Sequence, residues 1–85
     1  MERINVFVSG AGGKMGREVV RAVLADKELK LVGAGDTKFH GLDAGQLAGF
    51  DPIGVKISET SAEILKSSGA DVMVDFTVPH SVMLN

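Results

Sequence analysis

The chain contains no cysteine, which excludes a disulfide framework, a thiolate zinc site and a cysteine nucleophile. Positive charge is not in surplus: nine Lys and Arg stand against eleven Asp and Glu, for a net charge of −2. There is accordingly no basic stripe for nucleic acid and no polybasic run for an anionic membrane. Long apolar runs are missing too. No stretch approaches the ~18 residues of a membrane span. The first apolar run, Ile4 to Val8, is interrupted by Asn5 and is too short for the core of a signal peptide. These absences lead us to expect a cytoplasmic protein without metal, membrane or nucleic-acid partners. What remains is a globular composition, 45% hydrophobic and 24% charged, with enough length for one small domain. The skewed number is glycine, 11 of 85 residues, where an average chain has about 7%.

Periodicity organises the chain. Arg3 to Ser9 is a β-rich run whose adjacent apolar residues Ile4, Val6, Phe7 and Val8 fit a strand covered on both faces. From Met15 the period changes. Val19, Val20, Val23 and Leu24 recur at helical spacing, opposite Arg17, Glu18, Arg21 and Asp26. Leu29 to Gly35 reads as a second strand. Residues 37 to 54 are glycine-rich and read as a long connection with one helical turn near Asp43 to Leu47. Val55 to Ile57 is a brief strand, and Thr60 to Ser68 a helix with Ser61 as N-cap, Gly69 as C-cap, and Ile64 and Leu65 buried. Val72 to Phe76 is the clearest strand, and Pro79 opens a last helical segment with Val82, Met83 and Leu84 on its apolar face. That segment stops at Asn85 after barely two turns, so we expect a fragment. Alternation of this kind implies a parallel sheet with helices on both faces.

The glycines concentrate where chemistry is expected. Gly10, Ala11, Gly12, Gly13, Lys14, Met15 and Gly16 lie between the first strand and the first helix. They fit G-x-x-G-x-x-G spacing through Gly10, Gly13 and Gly16, but not strict G-x-G-x-x-G, whose third position is Met15. Such a loop turns tightly, lets a pyrophosphate approach the backbone, and brings helix N–H groups to the phosphates. A phosphate-loop NTPase is excluded because Met15, not Ser or Thr, follows Lys14. Asp36 ends the second strand twenty residues after Gly16. There its carboxylate either accepts hydrogen bonds from an adenosine ribose or caps the loop. Lys38 is either a partner for a 2′-phosphate or a solvated lysine, so NADH and NADPH both stay open as cofactors. The fold class is α/β: a Rossmann-type doubly wound parallel sheet, truncated to four strands, two helices and the start of a third.

VSGAGGKMGREVV, LVGAGD, DAGQLAG and DVMVDFTVP, in that order, resemble the 4-hydroxy-tetrahydrodipicolinate (dihydrodipicolinate) reductase family. The resemblance implies a reductase of lysine and diaminopimelate biosynthesis, in which a hydride passes to an unsaturated cyclic dicarboxylate. It implies that the loop from Gly10 through Met15 wraps the dinucleotide pyrophosphate and that Asp36 holds the adenosine ribose. It also places Phe76 and Thr77, with Asp75, beside the bound dinucleotide; loop capping is the other reading for Asp75 and Thr77. A basic residue often follows the acid in the family and favours NADPH, whereas Thr37 stands here. DAGQLAG is expected to shape a flexible loop without chemistry. The family's catalytic histidine and lysine, its Gly-Thr-Thr-Gly segment and its substrate-binding, tetramer-forming domain match nothing in residues 1 to 85. His40 and His80 read as surface imidazoles. The expectation is an incomplete N-terminal dinucleotide-binding domain, of marginal stability and inactive alone, from an enzyme that is homotetrameric when whole. The competing readings are a stand-alone NAD(H)-binding regulatory module and another Rossmann dehydrogenase, of the homoserine or aspartate-semialdehyde type.

Overall fold

The computed structural model describes residues 3–76. The helix start at Pro79, and with it Thr77 and His80, lies outside the described residues. The elements are β1 (Ile4–Ser9), α1 (Lys14–Ala25), β2 (Leu29–Gly35), α2 (Ala44–Leu47), β3 (Ile57–Ser58), α3 (Ala62–Ser68) and β4 (Val72–Asp75). The strands form one parallel sheet in the order β3-β2-β1-β4. The chain therefore builds outward on one side of β1, then crosses to the other side for β4.

Central position explains the composition of β1. Val6, Phe7, Val8 and Ser9 are all buried, as a strand covered on both faces requires. On one face Val6 and Val8 pack with Val20 and Val23 of α1, Leu31 and Ala34 of β2, and Ala44 and Ala48 from the α2 segment. On the other lies the fully buried Phe7 ring, and there β2 has glycine. A Cβ at Gly33 would stand 2.6 Å from Phe7 Cε2, and one at Gly35 would stand 3.3 Å from Cε1. The two glycines leave the space the ring fills. β2 serves both faces through a register shift against β1: Val6 pairs with Leu31, but Phe7 pairs with Gly33, leaving Val32 as an extra residue. At the far side Asn5 ties β4 down. Its N–H donates to Asp71 Oδ2 at 2.9 Å, Asp71 N–H donates back to the Asn5 carbonyl at 2.8 Å, and Asn5 Nδ2 donates to Gly69 O at 3.2 Å.

α1 starts at Lys14 and runs the three turns its periodicity announces. α3 is capped as expected, Ser61 Oγ accepting the Ile64 N–H at 3.2 Å and Gly69 closing the helix at φ 75°. Three expectations are corrected. α3 begins at Ala62 because its N-cap Ser61 is extended, at φ −142° and ψ 162°, and Thr60 before it is hydrogen-bonded through its hydroxyl to Ser9 Oγ at 3.0 Å. Ile64 and Leu65 are half-buried and not buried, because the short helix meets the sheet mainly at β2. The third strand is Ile57–Ser58 and not Val55 to Ile57: Val55 instead accepts the Ala44 N–H at 2.8 Å, and Lys56 bridges antiparallel to Asp43.

Candidate functional site

The carboxyl end of a parallel sheet is where open α/β folds bind ligands, at the point where strand order reverses. Here that end carries a cleft of about 590 Å³ lined by Ser9, Asp36, Thr37, His40, Glu59, Thr60 and Asp75. Ser9 ends β1, Asp36 follows β2, Glu59 and Thr60 follow β3, and Asp75 ends β4.

The glycine loop borders this cleft without lining it. Gly10 turns the chain at φ 83°, and its N–H and that of Ala11 both donate to the Gly35 carbonyl, at 2.7 and 3.0 Å. Gly13 N–H donates back to Gly10 O at 3.2 Å, and Gly13 is the N-cap of α1. Gly16 lies so close under the loop that a Cβ there would stand 2.7 Å from Gly10 C and 2.9 Å from Ala11 Cα. α1 has no side-chain cap and no acidic residue in its first turn. Its leading N–H groups and its positive dipole end are thus left to an anion. Gly10, Ala11 and Gly12 are buried, whereas Gly13, Lys14 and Met15 face solvent at the head of the helix.

Asp36 connects loop and cleft. Its Oδ2 accepts the Gly12 N–H at 2.8 Å and its Oδ1 the Lys38 N–H at 3.0 Å, so the carboxylate is held in one orientation with acceptor capacity to spare. The Asp36 carbonyl is bonded to His40 Nε2 at 2.6 Å. Phe39, held at φ 66°, lays its ring beside Gly12; a Cβ on Gly12 would meet Phe39 Cε2 at 2.9 Å and Asp36 Oδ2 at 3.0 Å. Phe76 is half-buried, and its N–H donates to Ser9 O at 2.9 Å, which keeps the chain against β1 beyond β4. Lys38 is exposed and does not line the cleft. Among the described residues no group of His, Asp and Glu is arranged to hold a metal ion, and no helix is long and apolar enough to cross a membrane.

Three features went unread in the sequence. Glu59 and Thr60 line the cleft, although their position after β3 repeats that of Asp36 after β2. His40, read as a surface imidazole, is exposed yet stands on the cleft. DAGQLAG holds an ordered clamp: Asp43 accepts the N–H groups of Gly45 and Gln46 as the cap of α2, and those of Ile53 and Gly54 across the loop. Desolvation raises the Asp43 carboxyl pKa, but the N–H groups of Ile53, Gly54, Gln46 and Gly45 outweigh it and hold the group below its ordinary 3.8.

A parallel sheet with β1 at its centre, a glycine turn feeding α1 and an acid at the end of β2 define a Rossmann-type α/β domain. Comparison with known proteins narrows this. The model of the family "dihydrodipicolinate reductase, N-terminus" matches residues 4–85, and the chain belongs to that family. Curated relatives named 4-hydroxy-tetrahydrodipicolinate reductase include one from Desulfitobacterium hafniense, 51% identical over 100% of this chain and 32% of that protein. Another, from Moorella thermoacetica, is 44% identical over 96% of this chain and 31% of its own length. A third, from Methanosarcina barkeri, is 42% identical over 96% and 32%. The chain spans about a third of the length of these relatives.

Proposed function

We propose that this chain is the NAD(P)H-binding part of a 4-hydroxy-tetrahydrodipicolinate reductase. The observation that carries the reading is the bond from Gly12 N–H to Asp36 Oδ2 at 2.8 Å, which sets a ribose-binding acid directly beside a phosphate-binding loop. Gly10 through Met15 approach the pyrophosphate, the uncapped start of α1 offsets its charge, and Asp36 accepts from the adenosine ribose hydroxyls. The family resemblance assigns Phe76 and Thr77 to the segment beside the bound dinucleotide. When bound, the dinucleotide supplies a hydride for reduction of a cyclic, unsaturated dicarboxylate; the protein supplies position and electrostatics. The groups that bind and protonate that substrate, and the surfaces that build a homotetramer, belong to the other two thirds of such a reductase. The 85-residue chain alone binds dinucleotide and does not turn over. The whole enzyme works in the cytoplasm, in lysine and diaminopimelate synthesis.

The test is a calorimetric titration of the chain with NADH and NADPH beside an Asp36→Ala variant. Binding of NADH, weakened in the variant by about 1–3 kcal/mol, is the expected result. A folded chain that binds neither nucleotide defeats the proposal.

A further inference from the structure

Resting on that reading, we propose that this site selects NADH over NADPH and that Glu59 is a residue that determines the selection. Asp36 N–H donates to the Ser58 carbonyl at 2.9 Å, so the ends of β2 and β3 are tied and Asp36 and Glu59 leave adjacent strands into the same cleft. Asp75 adds a third carboxylate to the lining, and among the described residues neither lysine nor arginine is part of it. Among the described lining residues the basic side chain is His40. A backbone carbonyl only accepts, so Nε2 carries the hydrogen in its 2.6 Å bond to Asp36 O. Thr37, which follows the acid, is uncharged, and the remaining lining groups Ser9 and Thr60 are hydroxyls bonded to each other at 3.0 Å.

A ribose 2′-hydroxyl suits this lining because it donates to a carboxylate. A 2′-phosphate would meet no lysine or arginine among the described lining residues, only the hydroxyl of Thr37 and the imidazole of His40. It carries about two negative charges, as other phosphate monoesters do, and it would enter between Asp36 and Glu59. Asp36 alone reads the hydroxyl; Glu59, facing the same space from the next strand, repels the phosphate. Selectivity then comes as much from rejecting the wrong cofactor as from binding the right one.

The experiment is a titration of the 85-residue chain with NADH and NADPH at low ionic strength, for the native sequence, Glu59→Gln and Glu59→Lys. Circular dichroism checks that each variant is folded. The native chain should favour NADH by on the order of tenfold, the size of a like-charge contact in a nearly aqueous dielectric. Glu59→Gln should cut that ratio about threefold or more through tighter NADPH binding, and Glu59→Lys should bring it to parity or beyond. Raising salt to about 1 M, where the screening length falls to ~3 Å, should shrink the native ratio. Equal affinities in the native chain, or a ratio that Glu59→Gln leaves unmoved, overturn the inference while the proposed function stands. If neither nucleotide binds the folded chain, the proposed function fails and the inference with it.

Discussion

Replacing Gly16 by alanine pits two effects of opposite sign against each other. In a helix interior, glycine to alanine stabilises by about 1 kcal/mol through helix propensity alone. At Gly16 the added methyl meets backbone: 2.7 Å from Gly10 C and 2.9 Å from Ala11 Cα, where ordinary contact begins at 3.4 Å. Neither atom swings aside as a side chain would, because Gly10 and Ala11 are both pinned to the Gly35 carbonyl. Overpacking a closed site costs about 1–3 kcal/mol, with the high end fitting an obstruction made of backbone. The net expectation is a loss of about 2 kcal/mol. For a domain of this size that is roughly 8–16 °C in Tm. Urea unfolding followed by circular dichroism measures it, with Gly13→Ala as the control. There the Cβ would be 3.6 Å from Gly10 O, and the cost should stay within about 1 kcal/mol. A Gly16→Ala chain as stable as the native one, or more so, would refute the claim that α1 rests on the glycine turn.

Gly33→Ala should cost about 1–3 kcal/mol, since its methyl intrudes on the fully buried Phe7 ring. A double-mutant cycle with Phe7→Leu should recover part of that, and strict additivity would show the two do not touch. Asp43→Ala should destabilise by about 1–2 kcal/mol as the cap of α2 and the tie to Ile53 and Gly54 are lost together. The sign of its pH dependence follows from a folded pKa lying below 3.8. The contribution is complete above that value and disappears as pH falls below it towards the folded value. Unfolding free energies of the native chain and Asp43→Asn should therefore converge in acid, and a gap independent of pH would contradict the clamp.

Much of the architecture was legible because it depends on local pattern. The adjacent apolar residues of β1, the three-to-four spacing from Val19 to Leu24 and the run Leu29 to Gly35 each match the element they form. Ser61 and Gly69 marked α3 because capping is local chemistry. The position of Asp36 beside the loop was readable for a similar reason, since a strand of known end must deliver it there. Asp43 was not readable. The N–H groups it gathers from Ile53 and Gly54 are brought to it only by the folded loop, and nothing in DAGQLAG encodes them. Glu59 escaped for a related reason: β3 spans only two residues, Ile57–Ser58, too few for a period that would fix where the strand ends.

The extra residue in β2 has a consequence for how this strand tolerates change in length. Leu31 and Gly33 already occupy successive rungs opposite Val6 and Phe7, so Val32 is spare in the pairing. Removing Val32 would leave Leu31 and Ala34 facing α1 and Gly33 and Gly35 facing Phe7, with the carboxylate of Asp36 delivered to the same place. Removing Gly33 would instead leave Val32 to take the rung opposite the Phe7 ring. One strand thus contains a deletable residue next to an indispensable one, and the loss of a single codon here is either silent or ruinous depending on which it takes.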